Sequence, residues 1–184
     1  MLYPAIENIQ RVLNDTLSPT VSMANISMVE NGENDQNDAD IIISLVNIEE
    51  VRLARDQHYV VRLDGDLLPK NPPVHLDLSL LFTTHGAGYA NNLQHLQDII
   101  SFFQKKSAFS ADDTPGLADD GIERLTMEMV TLSLEQLQQL WSMLGGKYRP
   151  SVLYKMRMLT IDSVQDRTIA PITEIEARFK QKNN

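Results

Sequence analysis

The chain contains no cysteine. That excludes disulfides, thiolate zinc sites and a cysteine nucleophile, but it does not fix a compartment. Aromatic residues are scarce at 6%, with a single tryptophan. No apolar run approaches the ~20 residues needed to cross a bilayer. The opening MLYPAIENIQ lacks a basic stretch followed by an apolar core, so it does not read as a secretory leader. The expectation is a chain made in the cytoplasm, without a membrane partner. Cations are in deficit: 16 Lys and Arg stand against 25 Asp and Glu, a formal charge of −9. A general nucleic-acid binder needs cations to displace phosphate counterions, so nucleic acid is not an expected partner.

Catalytic and cofactor signatures are also missing. No serine sits in a G-x-S-x-G turn. Gly86-Ala87-Gly88 would need a further glycine at 91 to form a dinucleotide loop, and that residue is Asn91. Gly145-Gly146-Lys147 is followed by Tyr148 rather than the Ser or Thr of a phosphate loop. The four histidines, His58, His75, His85 and His95, form no HxxxH or HxH pair, so no metal site is expected. Glu49 and Glu50 are adjacent on a strand and point to opposite faces, which prevents them from sharing an acid–base site. The acidic run 31–40, NGENDQNDAD, fails the calcium-loop pattern. Counted from Asp35, position six is Asp40; counted from Glu33, it is Asp38; glycine is required there. A solvated loop is the better reading. No catalytic residue, cofactor or metal is assigned, and the chain is not expected to be an enzyme.

What is present is an ordinary globular pattern, 42% hydrophobic and 22% charged over 184 residues. A chain of this length buries roughly 70% of its unfolded surface. Residues 3–17 read as a helix through Ile6, Ile9, Val12, Leu13 and Leu17, with Pro4 in the first turn. Residues 41–52 start β-branched and apolar and turn charged, as a strand leaving the sheet interior for a wet edge. Residues 53–70 leave two readings: a short strand at His58–Leu63 with Asp64-Gly65 as a turn, or a long excursion. Residues 74–82 alternate, with Val74, Leu76, Leu78 and Leu80 opposing His75, Asp77, Ser79 and Leu81, so the sheet is expected to be covered mainly on one side. A helix is predicted over 89–104, a polar loop over 107–121 and a strand over 122–132. Ser133 and Gln136 form a capping box. The helix it opens is expected to bury Leu134, Leu137, Leu140, Trp141 and Leu144, and to end at Gly145-Gly146. Residues 151–161 form a last strand, with Val152, Tyr154, Met156 and Met158 on one face. The sum is an α+β domain: a mainly antiparallel sheet with helices packed on one face.

The segment GGKYRPSVLY sets Lys147, Tyr148, Arg149 and Pro150 between a helix end and a strand start. Tyrosine and arginine on a short rigid loop are typical interface anchors. A loop that merely covers the core is an equal reading of the same residues.

Four stretches together resemble the cap, or tube-terminator, family of extracellular contractile injection systems of the anti-feeding prophage and Photorhabdus virulence cassette type. They are SLVNIEEVR (44–52), NPPVHLDLSLLF (71–82), LQHLQDIISFFQ (93–104) and the run 121–162, whose strand, capping box, tryptophan, double glycine and PSVLY keep the family's order. The resemblance covers residues 1–162, with 163–184 left as a C-terminal tail or arm. It implies a tail-terminator-like fold and a ring, hexameric in the family. That ring would sit on the last inner-tube layer and contact the sheath. The implied partners are the chain itself, a tube protein and a sheath protein. The particle would be assembled in the cytoplasm and then released. Candidate contact residues are Asn47, Glu49, Glu50 and Arg52 on one strand, and Lys147, Tyr148, Arg149, Pro150 and Tyr154 around the other segment. A tube–sheath adaptor or a baseplate connector is the alternative role within such a particle, and a small enzyme a more distant one.

Overall fold

Alternation of side chains builds the sheet, and the computed structural model describes it through residues 2–30, 39–51, 60–63, 66–69, 75–86, 88–145 and 147–160. The elements in chain order are α1 (Leu2–Thr16), β1 (Val21–Met23), α2 (Ile26–Glu30), β2 (Ile41–Glu50), β3 (Val60–Leu63), β4 (Asp66–Pro69), β5 (His75–Thr84), α3 (Tyr89–Lys105), β6 (Ala108–Ser110), β7 (Ile122–Val130), α4 (Leu134–Met143) and β8 (Ser151–Thr160). By contacts the chain divides into two units, Met1–Leu53 with Pro73–Ile161, and Ala54–Pro72 with Asp162–Asn184.

The larger unit holds a six-stranded sheet in the order β1-β2-β5-β8-β7-β6. Every pairing is antiparallel except β1 with β2, which is parallel. The mainly antiparallel sheet is therefore as expected, with one parallel strand added at its edge. In the smaller unit, β3 and β4 form an antiparallel pair with Leu63 opposite Asp66. This is the short strand allowed at 58–63. The acidic run 31–38, His58, Arg52 and the tail lie outside the described residues.

Strand parity sorts the core onto one face. Ile41 and Ile43 of β2, Leu78, Leu80 and Phe82 of β5, Tyr154, Met156 and Met158 of β8, and Leu125 and Met127 of β7 all point the same way. Against them α1 presents Ala5, Ile6, Ile9 and Leu13, and α3 presents Ile99 and Phe103. Each fully buried Leu or Ile side chain contributes about 1.5–3 kcal/mol of transfer free energy. Phe82, Phe103 and Tyr154 meet edge-on or tilted, with centroids 4.7–5.6 Å apart, the geometry their quadrupoles favour.

Helices were expected on one face only, yet the opposite face is partly covered as well. There α2 and α4 pack Ile26 and Trp141 onto Ile42 and Leu81, with Leu137, Leu140, Leu144 and Leu153 around them. Helices therefore lie on both faces. The capping box at Ser133 and Gln136 is present, and Gly145 closes the helix at φ 67, a conformation cheap only for glycine. Leu134, expected in the core, is 86% exposed, and the packed side chains of α4 begin at Leu137. In α3, likewise, Leu93 and Ile100 are exposed and only Ile99 and Phe103 are buried.

Three short elements were not foreseen: β1, α2 and β6. Asn14 holds β1 from α1, accepting from Val21 N at 2.8 Å and donating to Val21 O at 2.9 Å. Ser44, buried in β2, accepts from Ile26 N and donates to Ala24 O, which fixes the turn into α2.

Candidate functional site

Strand β2 changes character along its length. Residues 41–44 are buried and residues 47–50 are exposed. β1 pairs only with Ile41, Ile42 and Ile43. Among the described residues no strand covers the outer edge from Leu45 to Glu50. A bulge between Leu45 and Asn47 shifts the register, after which Asn47 faces Ser79, Ile48 faces Leu78, Glu49 faces Asp77 and Glu50 faces Leu76. Leu45 and Ile48 remain 39% and 46% exposed. Three of the candidate residues, Asn47, Glu49 and Glu50, thus share one open strand edge.

Glu49 is the end of a charge ladder across the uncovered half of the second face. Asn47 donates to one of its oxygens at 2.9 Å, and Lys155 lies 3.2 Å from the other. Lys155 also stands 3.4 Å from Asp77, and Arg157 joins Asp77 at 4.0 Å and Glu128 at 3.0 Å. The Glu49 hydrogen bond is the main cause that raises the Lys155 ammonium above its ordinary pKa; burial opposes it, and the attraction of Glu49 and the contact with Asp77 add to the rise. The ladder went unread in the sequence, although its signal was present. Asp77, Lys155 and Arg157 occupy alternate positions on strands whose other face is apolar.

The second group gathers at the far end of the sheet. Lys147 and Tyr148 are exposed, and Tyr148 stands edge-on to Trp141 with centroids 6.0 Å apart. Arg149 places Nη1 3.2 Å from His85 Nδ1. Pro150 O accepts from both Thr84 N and Thr84 Oγ1, at 3.2 and 3.1 Å. Residues 147–150 are therefore pinned to the upper end of β5 and to α4. Between this segment and α4 lies a groove of about 310 Å³ lined by Leu134, Leu137, Gln138, Trp141, Ser142 and Tyr148. Sequence reasoning missed the groove because it assigned Leu134 to the core.

Tyr154 does not belong with these residues. It is buried among Phe82 and Phe103, and burial raises its phenol pKa. It faces the core because it shares strand parity with Val152 and Met156. The two remaining groups are also apart. The loop meets Thr84, which pairs with Ile41, whereas Ile48 and Glu50 pair with Leu78 and Leu76. At about 3.3 Å per residue that is roughly 20–25 Å along the strands, so they form two surfaces.

The lower end of the sheet holds a cavity of about 370 Å³ lined by Val51, His75, Leu76, Asp77, Arg124, Thr126, Arg157 and Met158. Asp77 there is engaged with Lys155 and Arg157. Among the described residues no three His, Asp or Glu side chains gather to hold a metal, and no helix is long and apolar enough to cross a membrane.

Two comparisons with known proteins bear on this geometry. The family described as the Pvc16 N-terminal domain matches residues 5–174. Among solved structures, the PVC sheath/tube terminator of an extracellular contractile injection system, in its extended state, aligns with a TM-score of 0.63 at 17% identity. That alignment takes in 100% of this chain and 64% of the other. The tube-terminating cap of the anti-feeding prophage aligns with a TM-score of 0.60 at 17% identity, over 97% of this chain and 60% of the other. The chain thus spans less than two thirds of the length of either, and at these identities the likeness shows a shared fold. No protein of curated function matches the sequence.

Proposed function

The chain belongs to the family of the Pvc16 N-terminal domain, and on that premise we propose that it is a structural subunit that ends the growth of a contractile, phage-tail-like injection tube. Six copies form a ring on the last layer of inner-tube subunits and contact the terminal sheath layer. Residues 1–162 supply the ring domain and residues 163–184 an arm toward a neighbour. Its partners are itself, a tube protein and a sheath protein. The particle is assembled in the cytoplasm before release. The role is mechanical rather than enzymatic.

One observation carries the reading. At least 97% of the chain aligns with each of two proteins that end such tubes, a sheath/tube terminator and a tube-terminating cap. The surfaces fit the task. A ring needs a heterologous contact, one patch of each copy meeting a different patch of the next, and the two candidate groups lie at opposite ends of the sheet. Termination then follows from shape. One ring face matches the tube end and the other offers the next tube subunit nothing to grip, so assembly stops without chemistry.

Deleting the gene in a producing cell tests this. Tubes and sheaths of scattered length, or particles that fall apart, are the expected outcome. Particles of the normal uniform length would contradict it.

A further inference from the structure

We propose that the two surfaces are the two halves of a single contact between copies: the lower β2 edge of one chain docks into the α4 groove of the next. The inference rests on the ring reading and specifies which residues close it.

The two halves carry opposite charge, and Glu49 also holds Lys155 of its own chain at 3.2 Å. The β2 edge offers Ile48, 46% exposed, followed by the exposed carboxylates Glu49 and Glu50, and from Ser44 to Glu50 it contains no cation. The groove offers Leu134, 86% exposed, and Tyr148, 62% exposed, and the cations Lys147 and Arg149 flank Tyr148 in the chain. Its volume of about 310 Å³ admits one or two aliphatic side chains. The Gln138 amide and the Ser142 hydroxyl also line it, and both can bond the open strand's backbone. A tryptophan–tyrosine pair, Trp141 buried and Tyr148 exposed, meeting a surface of opposite charge is the composition in which binding energy concentrates.

A chain cannot dock onto itself, because the halves stand roughly 20–25 Å apart along the strands. Two β2 edges meeting symmetrically would oppose Glu49 and Glu50 to the same residues of the partner copy, and like charges face to face are unfavourable. Head-to-tail docking is left, and its repetition is what builds a ring.

The absence of native cysteine makes the contact directly measurable. In particles from a producing cell, a chain carrying both Ile48→Cys and Leu134→Cys is treated with a short bis-maleimide and run under denaturing conditions. Both sites are exposed, so folding should be unaffected. A ladder of covalent multimers is expected from the double variant, and monomer from either single variant. Lys147→Glu is expected to reduce the ladder at least tenfold, and adding Glu49→Lys to restore it. A dimer from Ile48→Cys alone would establish edge-to-edge pairing and overturn the proposal. Particles that hold the chain as a ring, by imaging, but yield no ladder would overturn this contact and leave the ring standing. Particles that lack the chain would overturn the ring reading and this contact with it.

Discussion

Tyr148 and Tyr154 lie six positions apart in the chain and serve opposite ends. Tyr154 fills the core beside Phe82 and Phe103, whereas Tyr148 is 62% exposed with one edge against Trp141. Tyr154→Ala is expected to lower unfolding stability by about 3 kcal/mol or more, the usual effect of emptying an aromatic site in a packed core. Tyr148→Ala should change it by less than about 0.5 kcal/mol, as most surface substitutions do, yet impair incorporation into particles. Denaturant melts paired with particle purification separate the two effects. Asp40 offers a test by pH. It accepts from Thr20 N at 2.9 Å and Thr20 Oγ1 at 3.0 Å, and the backbone hydrogen bond is the main cause of its lowered pKa. A carboxylate depressed in the folded state stabilises the protein above its unfolded pKa and loses that contribution as pH falls through the folded value. The wild type should therefore lose stability below about pH 4, and Asp40→Asn should flatten that acid limb in melts from pH 7 to 3.

At the scale of elements, α4 connects local chemistry to the proposed surface. Its capping box satisfies two backbone N–H groups, Ser133 and Gln136 exchanging bonds at 3.2 and 2.9 Å. Ser133→Ala should cost about 1 kcal/mol and loosen Leu134 at the mouth of the groove, which amide exchange of the first helical turn would register. The long elements were legible in the sequence because their periods are long enough to read. β5 and β8 run ten residues each, with alternation over most of that length, and α1 repeats its apolar positions over 15. β1, α2 and β6 span three to five residues and carry no period. They exist because tertiary partners hold them: Asn14 on Val21, Ser44 on Ile26, and Asp113 accepting from Ser110 N at 2.9 Å. The second helical layer was missed for a related reason. Leu81 and Leu153 are apolar residues on mostly polar parities, and only the fold shows that Trp141 lands on them.

For the whole molecule, the candidate surfaces were half visible in the sequence. Composition marked Lys147, Tyr148 and Arg149 as candidate interface residues, with a loop covering the core as an equal reading. It did not exclude Tyr154, although parity with Val152 and Met156 would have done so. The open β2 edge was not visible, since it depends on where β1 stops. An uncovered strand edge invites association, and the charge of −9 keeps free copies apart in solution. Raising ionic strength should therefore weaken the Lys147–Glu49 attraction and the general repulsion together, and native mass measurements across salt would report the balance.

The most direct measurement is the position of the subunit in the intact particle. Electron microscopy of purified particles bearing a density label on this chain should show the label in a six-fold ring at the tube end away from the baseplate, and nowhere else. Label along the tube, at the baseplate, or absent from the particles would contradict the account.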